Sequence, residues 1–350
     1  MMVRKRVLCM LLASLLLLLP LSSGAETAPH AVFSDAAFVG AYGSTVTVRA
    51  SVTASKDQNW ILKTEGDDTL GSTRARGTNV TVSFTFSVPD SLPRKTLLLL
   101  YCEGEGDPLC EAPLFVDEPR NNGLKQVATD QRAVAITFDA ATGAGKTLQL
   151  LDLLDRYGAK ATFFVIGRYA VYNPDECRAI VAHGHELASH SFEHLEMRDA
   201  STRQIWRSLS EADTLLRSFN GDSVVHYRPP SGLSVFTDRA VARGLGAEVI
   251  LWSIDSGDGF SYVSEFGVKT RVQSGLHNGG IVLMHVYGQH TLAALETLLP
   301  YYAEQGYRFV TVSELLLDGD AYIDDFGTQR ALHHDDETVA PIAARLRDGR

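Results

Sequence analysis

The sequence has few cysteines, which excludes a fold held together by a disulfide framework. Four of its 350 residues are cysteine. Cys9 lies in an apolar stretch at the N terminus, and Cys177 is distant from the other three. Cys102 and Cys110 are close enough along the chain for one local disulfide in an oxidising compartment, and the sequence leaves open whether they form it.

Positive charge is scarce as well. The chain has 32 lysines and arginines against 42 aspartates and glutamates, and its formal net charge at pH 7 is -10. Proteins that bind nucleic acid neutralise phosphates with clustered lysine and arginine side chains. This balance therefore argues against a nucleic-acid partner.

Long apolar runs are absent except at the N terminus. Residues 1–25 have a basic start at residues 4–6, an apolar run over Val7–Leu21 and small residues at 23–25. This order predicts a signal peptide that is cleaved after Ala25. An uncleaved anchor is the alternative, but the run is short for a membrane span. We therefore expect a secreted or cell-wall-associated protein with no transmembrane segment after cleavage.

Residues 26–118 alternate between apolar and polar side chains with the period of a β-strand. The alternation is clearest over Ser44–Val52 and Asn79–Val88. It predicts a small all-β accessory domain of the immunoglobulin-like sandwich type. Its role, as a spacer or as a glycan-binding module, is left open. Residues 119–130 are rich in charge, Pro and Gly and are interpreted as a linker.

From residue 131 to residue 318 apolar strand-like runs alternate with helical periodicity. This pattern predicts an α/β fold, a distorted (β/α) barrel of about seven parallel strands. The charged residues 319–350 are interpreted as a solvated C-terminal tail. The predicted strands are Ala133–Phe138, Ala161–Ile166, Glu186–Ser189, Val224–Tyr227, Glu248–Ile254, Ile281–Met284 and Phe309–Val312.

Ionisable side chains follow the predicted strands at one end. In such barrels the chemistry sits at the carboxyl ends of the strands, where side chains from different strands converge. Residues without a common function would be scattered over both ends. The residues at or just beyond these strand ends are Asp139, His190, His194, Arg228, Asp255, Asp258 and His285.

His190 and His194 have the spacing of two ligands of one metal ion. Imidazoles four residues apart share a helix face, and imidazole is a common ligand of divalent metals. Two ordinary surface histidines would give the same pattern. So would an inverted zinc peptidase with Glu193 as the base, but the strand predicted at Glu186–Ser189 argues against the long helix which that site requires.

The loop after the first barrel strand nearly has the sequence of a phosphate-binding P-loop. Gly145-Lys146-Thr147 precedes a predicted helix, and Ala140 occupies the position of the first glycine. The signal peptide and the lack of a second nucleotide motif argue against this alternative. We expect no nucleotide partner.

The region 132–317 resembles the polysaccharide deacetylases of carbohydrate esterase family 4, the NodB-homology domain. Five short motifs in the expected order carry the resemblance, and together they are specific. They are Ile136-Thr137-Phe138-Asp139, His190-Ser191-Phe192-Glu193-His194, Arg228-Pro229-Pro230-Ser231-Gly232, Trp252-Ser253-Ile254-Asp255-Ser256-Gly257-Asp258 and Leu283-Met284-His285.

The resemblance implies that some of these residues activate a water molecule and bind a metal ion. Asp139 would be the base that deprotonates a water molecule, and Arg228 would pair with Asp139 and keep it ionised. His190 and His194 would hold a divalent metal ion, Zn, or alternatively Co, Mn or Ni, which polarises the acetyl carbonyl.

The resemblance implies an acid as well. His285 would protonate the leaving amine, and Asp255 would pair with His285 and keep it protonated near neutral pH.

The chain departs from the family pattern at three positions. The family's second aspartate, a metal ligand, is replaced here by Ala140, and no acidic residue follows in residues 140–147. Gly259 replaces a usual Trp, and Ser231 an often-present Tyr. We expect weaker metal binding and a reshaped sugar pocket.

The sequence thus predicts a secreted, metal-assisted hydrolase that removes N-acetyl groups from an amino-sugar polymer, either peptidoglycan or a chitin-like glycan. The missing carboxylate leaves two alternatives. One is a catalytically weak or inactive glycan-binding relative. The other is an esterase acting on O-acetylated polysaccharide, because the same attack by water cleaves an ester.

Overall fold

The computed structural model describes residues 28–119, 123–141, 146–222 and 224–332. The predicted signal peptide, part of the linker and the end of the tail lie outside these residues. No helix in the described part of the chain is long and apolar enough to cross a membrane.

The N-terminal part of the chain is all β. Its strands alternate between buried and exposed residues, as the period-two pattern predicts. The strands join one six-stranded sheet in the order β1-β3-β5-β6-β2, with β4 paired to β3. They are β1 (His30–Phe33), β2 (Phe38–Ala41), β3 (Thr45–Thr64), β4 (Thr69–Ser87), β5 (Lys95–Cys102) and β6 (Cys110–Asp117).

The long strand β3 joins the two halves of this sheet. Its first half pairs with β1 and its second half with β5, while β4 follows it along the other edge. The six strands therefore belong to one hydrogen-bonded network, and the division into two sandwich sheets stays a prediction. Cys102 and Cys110 are free thiols, because Cys110 lies opposite Leu100 in the register and Cys102 is two residues further along.

The second part of the chain is a curled sheet of parallel strands covered by helices. The order of its strands is β12-β11-β10-β9-β8-β14-β13, with β15 also paired to β8. Within the described residues β12 and β13 do not pair, so the sheet is an open half-barrel. The strands are β8 (Ala133–Ala140), β9 (Thr162–Val165), β10 (Glu186–Ser189), β11 (His226–Tyr227), β12 (Glu248–Val249), β13 (Ile254–Asp255), β14 (Ile281–His285) and β15 (Arg308–Val310).

Helices separate most of these strands, as the periodicity predicts. The helices are α1 (Lys146–Arg156), α2 (Gly167–Tyr172), α3 (Pro174–Ala182), α4 (Thr202–Asn220), α5 (Phe236–Gly244), α6 (Glu265–Gly275), α7 (Thr291–Glu304) and α8 (Val312–Leu315). Short 3₁₀ turns occupy Met197–Asp199 and Pro230–Gly232.

The sheet has eight strands where about seven were predicted, because the run Glu248–Ile254 is divided into β12 and β13. The carbonyl oxygens of Ile250 and Leu251 accept hydrogen bonds from the buried Arg228 side chain at 3.3 and 3.2 Å. These carbonyls leave the ladder at this point, and the chain crosses to the other end of the sheet order.

A small third sheet corrects the interpretation of the linker and the tail. Strands β16 (Ala321–Ile323) and β17 (Thr328–Ala331) form a hairpin, and β17 pairs in parallel with β7 (Gln126–Val127). The predicted linker and the first part of the predicted solvated tail thus pair with each other. Strands β16 and β17 are each too short to show a periodic pattern in the sequence.

Side chains alternate along β8 between two apolar clusters. Phe138 and Ala140 belong to the cluster between the sheet and the helices, whereas Ala133 and Ala135 belong to the cluster inside the half-barrel. Asp139, with the opposite parity to Phe138 and Ala140, ends the inward-facing row. The pleat of one strand therefore directs this carboxylate toward the centre of the half-barrel.

Asp117 joins the N-terminal sheet to the parallel sheet. Its fully buried carboxylate accepts hydrogen bonds from Arg94 and Arg243, each at 2.6 Å. Arg243 also donates to Glu248 at 2.7 Å. Two cations and two carboxylates thus meet between β6 and α5.

We expect Asp117→Asn to destabilise the protein. The neutral amide leaves the buried Arg243 with Glu248 alone, and breaking a buried ion pair costs about 3 kcal/mol at the lower end of the usual range. Urea denaturation of wild type and variant measures the free energy of unfolding. Asp67→Asn is the matched control, since Asp67 forms an exposed ion pair with Lys63 and such a pair contributes about 0.2–1 kcal/mol. Equal losses in the two variants would contradict the structural role of Asp117.

Candidate active site

Asp139 and Arg228 form a buried ion pair at the carboxyl ends of two strands. Nη1 of Arg228 donates to Oδ1 of Asp139 at 2.8 Å, and Nε and Nη2 donate to the carbonyl oxygens of Ile250 and Leu251. The guanidinium carbon lies 3.9 Å from the centroid of the Phe164 ring. These contacts fix the guanidinium plane, so the pair predicted from the sequence is present with defined geometry.

The surroundings of Asp139 favour its ionised form. Burial alone would raise the pKa of this carboxyl, but the charges of Arg228 and His285 together with the Arg228 hydrogen bond outweigh it, and the pKa lies below its usual value. Asp139 is therefore a carboxylate at neutral pH and can accept a proton.

His190 is held as a neutral imidazole beside Asp139. Its Nδ1 lies 2.9 Å from the carbonyl oxygen of Arg228, so Nδ1 carries the proton and Nε2 has a free lone pair. Nε2 faces Oδ2 of Asp139 at 3.6 Å. Burial lowers the pKa of His190 below its usual value, despite the charge of Asp139. A neutral imidazole with its second nitrogen fixed by a carbonyl is the form that ligates metals.

His194 reaches His190 through a loop and not along a helix face. Both Ser191 and His194 have left-handed backbone conformations, with φ of 66° and 60°. The two imidazole rings are 5.1 Å apart between centroids and nearly perpendicular. The loop also removes the inverted-peptidase alternative, because exposed Glu193 accepts a hydrogen bond from Ser208.

His285 is paired with Asp258. Nδ1 of His285 lies 2.8 Å from Oδ1 of Asp258, while the backbone N–H of His285 and the Thr291 hydroxyl donate to Oδ2 at 2.8 and 2.5 Å. Burial alone would lower the pKa of His285, but the hydrogen bond and charge of Asp258 and the charge of Asp139 raise it above its usual value. The imidazole is thereby favoured in its protonated form.

The predicted pairing of His285 with Asp255 is wrong. Asp255 is exposed and accepts a hydrogen bond from the N–H of Gly257 at 2.8 Å. In the sheet register it lies beside Leu283, two residues before His285. After Gly257, which has a φ of 70°, the chain turns and brings Asp258 to the imidazole instead. The motif contains both aspartates, and its spacing does not distinguish them.

The donors present fit a divalent metal ion as a pair of imidazoles. Nε2 of His190 is available, and His194 lies against it. In the described part of the chain no three His, Cys, Asp or Glu side chains are grouped to hold a metal. Ala140, the position of the missing ligand, packs fully buried in the helix-facing apolar cluster.

The side chain of Lys146, at the start of α1, is hydrogen-bonded to the segment that follows His285. Its Nζ donates to the carbonyl oxygen of Tyr287 at 3.1 Å. The Tyr287 ring lies 4.9 Å from the His285 ring between centroids. Residues 142–145, which carry the rest of the P-loop-like sequence, lie outside the described residues.

Comparison with known proteins finds one family. Residues 126–250 match the family model "Polysaccharide deacetylase". A peptidoglycan-N-acetylglucosamine deacetylase of Bacillus cereus is 34% identical over 205 residues, which are 57% of this chain and 95% of the relative. The peptidoglycan-N-acetylglucosamine deacetylase PgdA of Listeria monocytogenes is 34% identical over 188 residues, 54% of this chain. This chain spans 40% of the length of that relative.

Solved structures show the same fold. A CE4 family pseudoenzyme from Bacillus anthracis has a TM-score of 0.52 and 28% identity, and the match covers 55% of this chain and 67% of that chain. A mutant of that pseudoenzyme with restored enzymatic activity has a TM-score of 0.54 and 26% identity, covering 62% and 77%.

We expect Asp258→Asn to lower the pKa of His285, because the amide removes the charge that stabilises the imidazolium. NMR titration of the His285 ring protons measures this pKa. Asp255→Asn is the matched control and should leave the value unchanged. A larger effect of Asp255→Asn than of Asp258→Asn would contradict the observed pairing.

Proposed function

We propose that this protein hydrolyses N-acetyl groups of an amino-sugar polymer, because the chain belongs to the polysaccharide deacetylase family. Peptidoglycan is the first candidate, since the relatives from Bacillus cereus and Listeria are named peptidoglycan deacetylases. A chitin-like glycan is the second candidate. One observation supports hydrolysis above the others: Asp139 and His285 are register partners on adjacent parallel strands.

The register gives the two groups a geometry suited to acid–base catalysis. Adjacent strands lie about 4.8 Å apart, and paired residues of parallel strands project to the same face. One group is a carboxylate held by Arg228, and the other is an imidazole whose cationic form Asp258 favours. A base and an acid with separate partners can act on one small substrate group between them.

Each group has one step in the reaction. Asp139 accepts a proton from a water molecule, and the oxygen of that water bonds to the acetyl carbonyl carbon. His285 donates its proton to the sugar nitrogen as the carbon–nitrogen bond breaks. The products are acetate and a free amino sugar.

His190 and His194 would hold a divalent metal ion, Zn or alternatively Co, Mn or Ni. The metal would act as a Lewis acid on the acetyl carbonyl. Arg228 supports this pair through its carbonyl oxygen, which fixes the His190 tautomer. With two imidazoles and no neighbouring carboxylate at position 140, we expect the affinity to be low for a metalloenzyme.

We also propose that the protein is exported by a signal peptide over residues 1–25 and acts outside the cell or at its wall. In this proposal residues 26–118 form an accessory domain of the immunoglobulin-like sandwich type. Mass spectrometry of the exported protein identifies its N terminus, and an N terminus before Ala25 would contradict cleavage there.

A glycan-binding protein without catalysis is the second candidate. Ala140 in place of a ligand supports it, and so does the likeness to a structure described as a pseudoenzyme. This candidate predicts binding of the glycan without release of acetate.

The deciding experiment measures acetate. The mature protein is incubated with N-acetylated glycan oligomers, with and without added divalent metal, beside Asp139→Asn. We expect acetate release from the wild type and a loss of roughly 10²- to 10⁴-fold in the variant, the usual contribution of general acid–base catalysis. Glycan binding without acetate under any metal would contradict the enzyme and favour the second candidate.

We expect His194→Ala to weaken binding of Zn²⁺ by at least roughly 10- to 100-fold, since loss of a partner of a ligating histidine already costs that much. Calorimetric titration with Zn²⁺ alone measures the affinity. His277→Ala is the control, because His277 contacts Gln126 and Gly275, away from this pair. Equal affinities for wild type and His194→Ala would exclude His194 as a ligand.

A further inference from the structure

We propose that Phe260 and Tyr262 form a carbohydrate subsite that holds a sugar ring of the glycan beside His285. The inference rests on the proposed function and adds to it a binding surface outside the reacting groups. It follows from the position, the exposure and the anchoring of two aromatic rings on the segment after β13.

The two rings are exposed together. Phe260 is 51% and Tyr262 is 78% exposed, and their rings are stacked with 5.3 Å between centroids and 26° between planes. Single exposed aromatic residues are common on protein surfaces, but contiguous apolar patches mark interaction sites. Stacking gives the pair a continuous apolar surface.

The segment that carries the rings is anchored at both ends. Before the rings, Asp258 is hydrogen-bonded to His285 and to Thr291. After them, Val263 is buried in the helix-facing apolar cluster, and its N–H donates to the carbonyl oxygen of Phe260 at 3.0 Å. The exposure of the rings is therefore not that of a loose loop, and the surface is preorganised for a ligand.

The aromatic segment begins one residue after Gly259, whose backbone packs against the proposed acid, His285. A Cβ atom added to Gly259 would lie 2.9 Å from Cε1 and 3.0 Å from Nδ1 of His285, so the backbone of Gly259 already packs against the imidazole. The Cα of Phe260 is about 3.8 Å from that of Gly259. A sugar ring on this surface lies next to the group that protonates the leaving amine.

The chemistry of the surface selects its ligand. One face of a pyranose ring presents C–H groups, and these pack on aromatic rings, while the sugar hydroxyls stay in water. Tyr262 adds a hydroxyl that can hydrogen-bond to the sugar. A glycan strand whose reacting sugar lies at Asp139 and His285 continues past the site, and the aromatic pair follows Gly259, whose backbone packs against His285.

The test compares oligomer lengths. An N-acetylglucosamine tetramer can span the reacting position and the subsite, whereas a dimer at the reacting position fills the subsite less completely. For Phe260→Ala/Tyr262→Ala we expect KM for the tetramer to rise about tenfold, which is about 1.4 kcal/mol. We expect kcat for the dimer to stay close to the wild-type value. The single variant Tyr262→Trp, in which Phe260 is retained, should keep the wild-type KM for the tetramer, because tryptophan preserves an aromatic ring at this position.

Phe326→Ala is the matched control. Phe326 is 82% exposed, but it lies in the β16–β17 hairpin, whose partner strand β7 bridges to Gly280 at the amino end of β14. This variant should change neither constant. Circular dichroism and urea denaturation of each variant establish that it is folded.

The outcomes separate the subsite from the proposed function. Acetate release with the same KM for wild type and double variant would overturn the subsite and leave the hydrolase standing. If the wild type binds the tetramer without releasing acetate, the dissociation constant replaces KM, and a tenfold rise in the double variant supports the subsite. A wild type that neither binds nor hydrolyses the glycan contradicts both. A concentration-dependent dimer, seen by sedimentation and lost in the double variant, would assign the surface to self-association instead.

Discussion

The buried guanidinium of Arg228 is the feature on which the site and part of the fold depend. Removing an arginine from water is costly unless charge and hydrogen bonds replace the solvent. Here Asp139 supplies the charge, two backbone carbonyls supply the hydrogen bonds and Phe164 supplies an aromatic face. Those carbonyls lie just beyond the end of β12, so the residue that holds the proposed base also fixes the chain between β12 and β13.

The surroundings of two imidazoles in this site shift their pKa values in opposite directions. His190 faces a backbone carbonyl that accepts from Nδ1, and burial then favours its neutral form. His285 faces the carboxylate of Asp258, whose charge overcomes burial and favours the cation. One imidazole is thus suited to ligate a metal and the other to donate a proton, although both lie at the same end of the sheet.

The sequence predicted well what depends on long periodicity and poorly what depends on backbone turns. The helical periodicity expected between the strands is clearest in α4 (Thr202–Asn220), whose nineteen residues carry an apolar stripe. Asp139 and Arg228 follow predicted strands, and the pairing that the family resemblance implies is present. The pairing of Asp255 failed because the left-handed turn at Gly257 decides which aspartate reaches His285. The β16–β17 hairpin was not predicted, because strands of three and four residues are too short to show a periodic pattern.

The pleat of β8 determines where the side chain of Ala140 lies. Neighbouring residues of a strand point to opposite faces. Asp139 therefore points inward, toward Arg228 and His190, and Ala140 packs outward among apolar side chains. The methyl group of Ala140 fills this cluster without burying a charge, which an ionised side chain packed among the same apolar groups would do at a cost in stability. Of these two neighbouring residues, Asp139 is thus the one that faces Arg228 and His190.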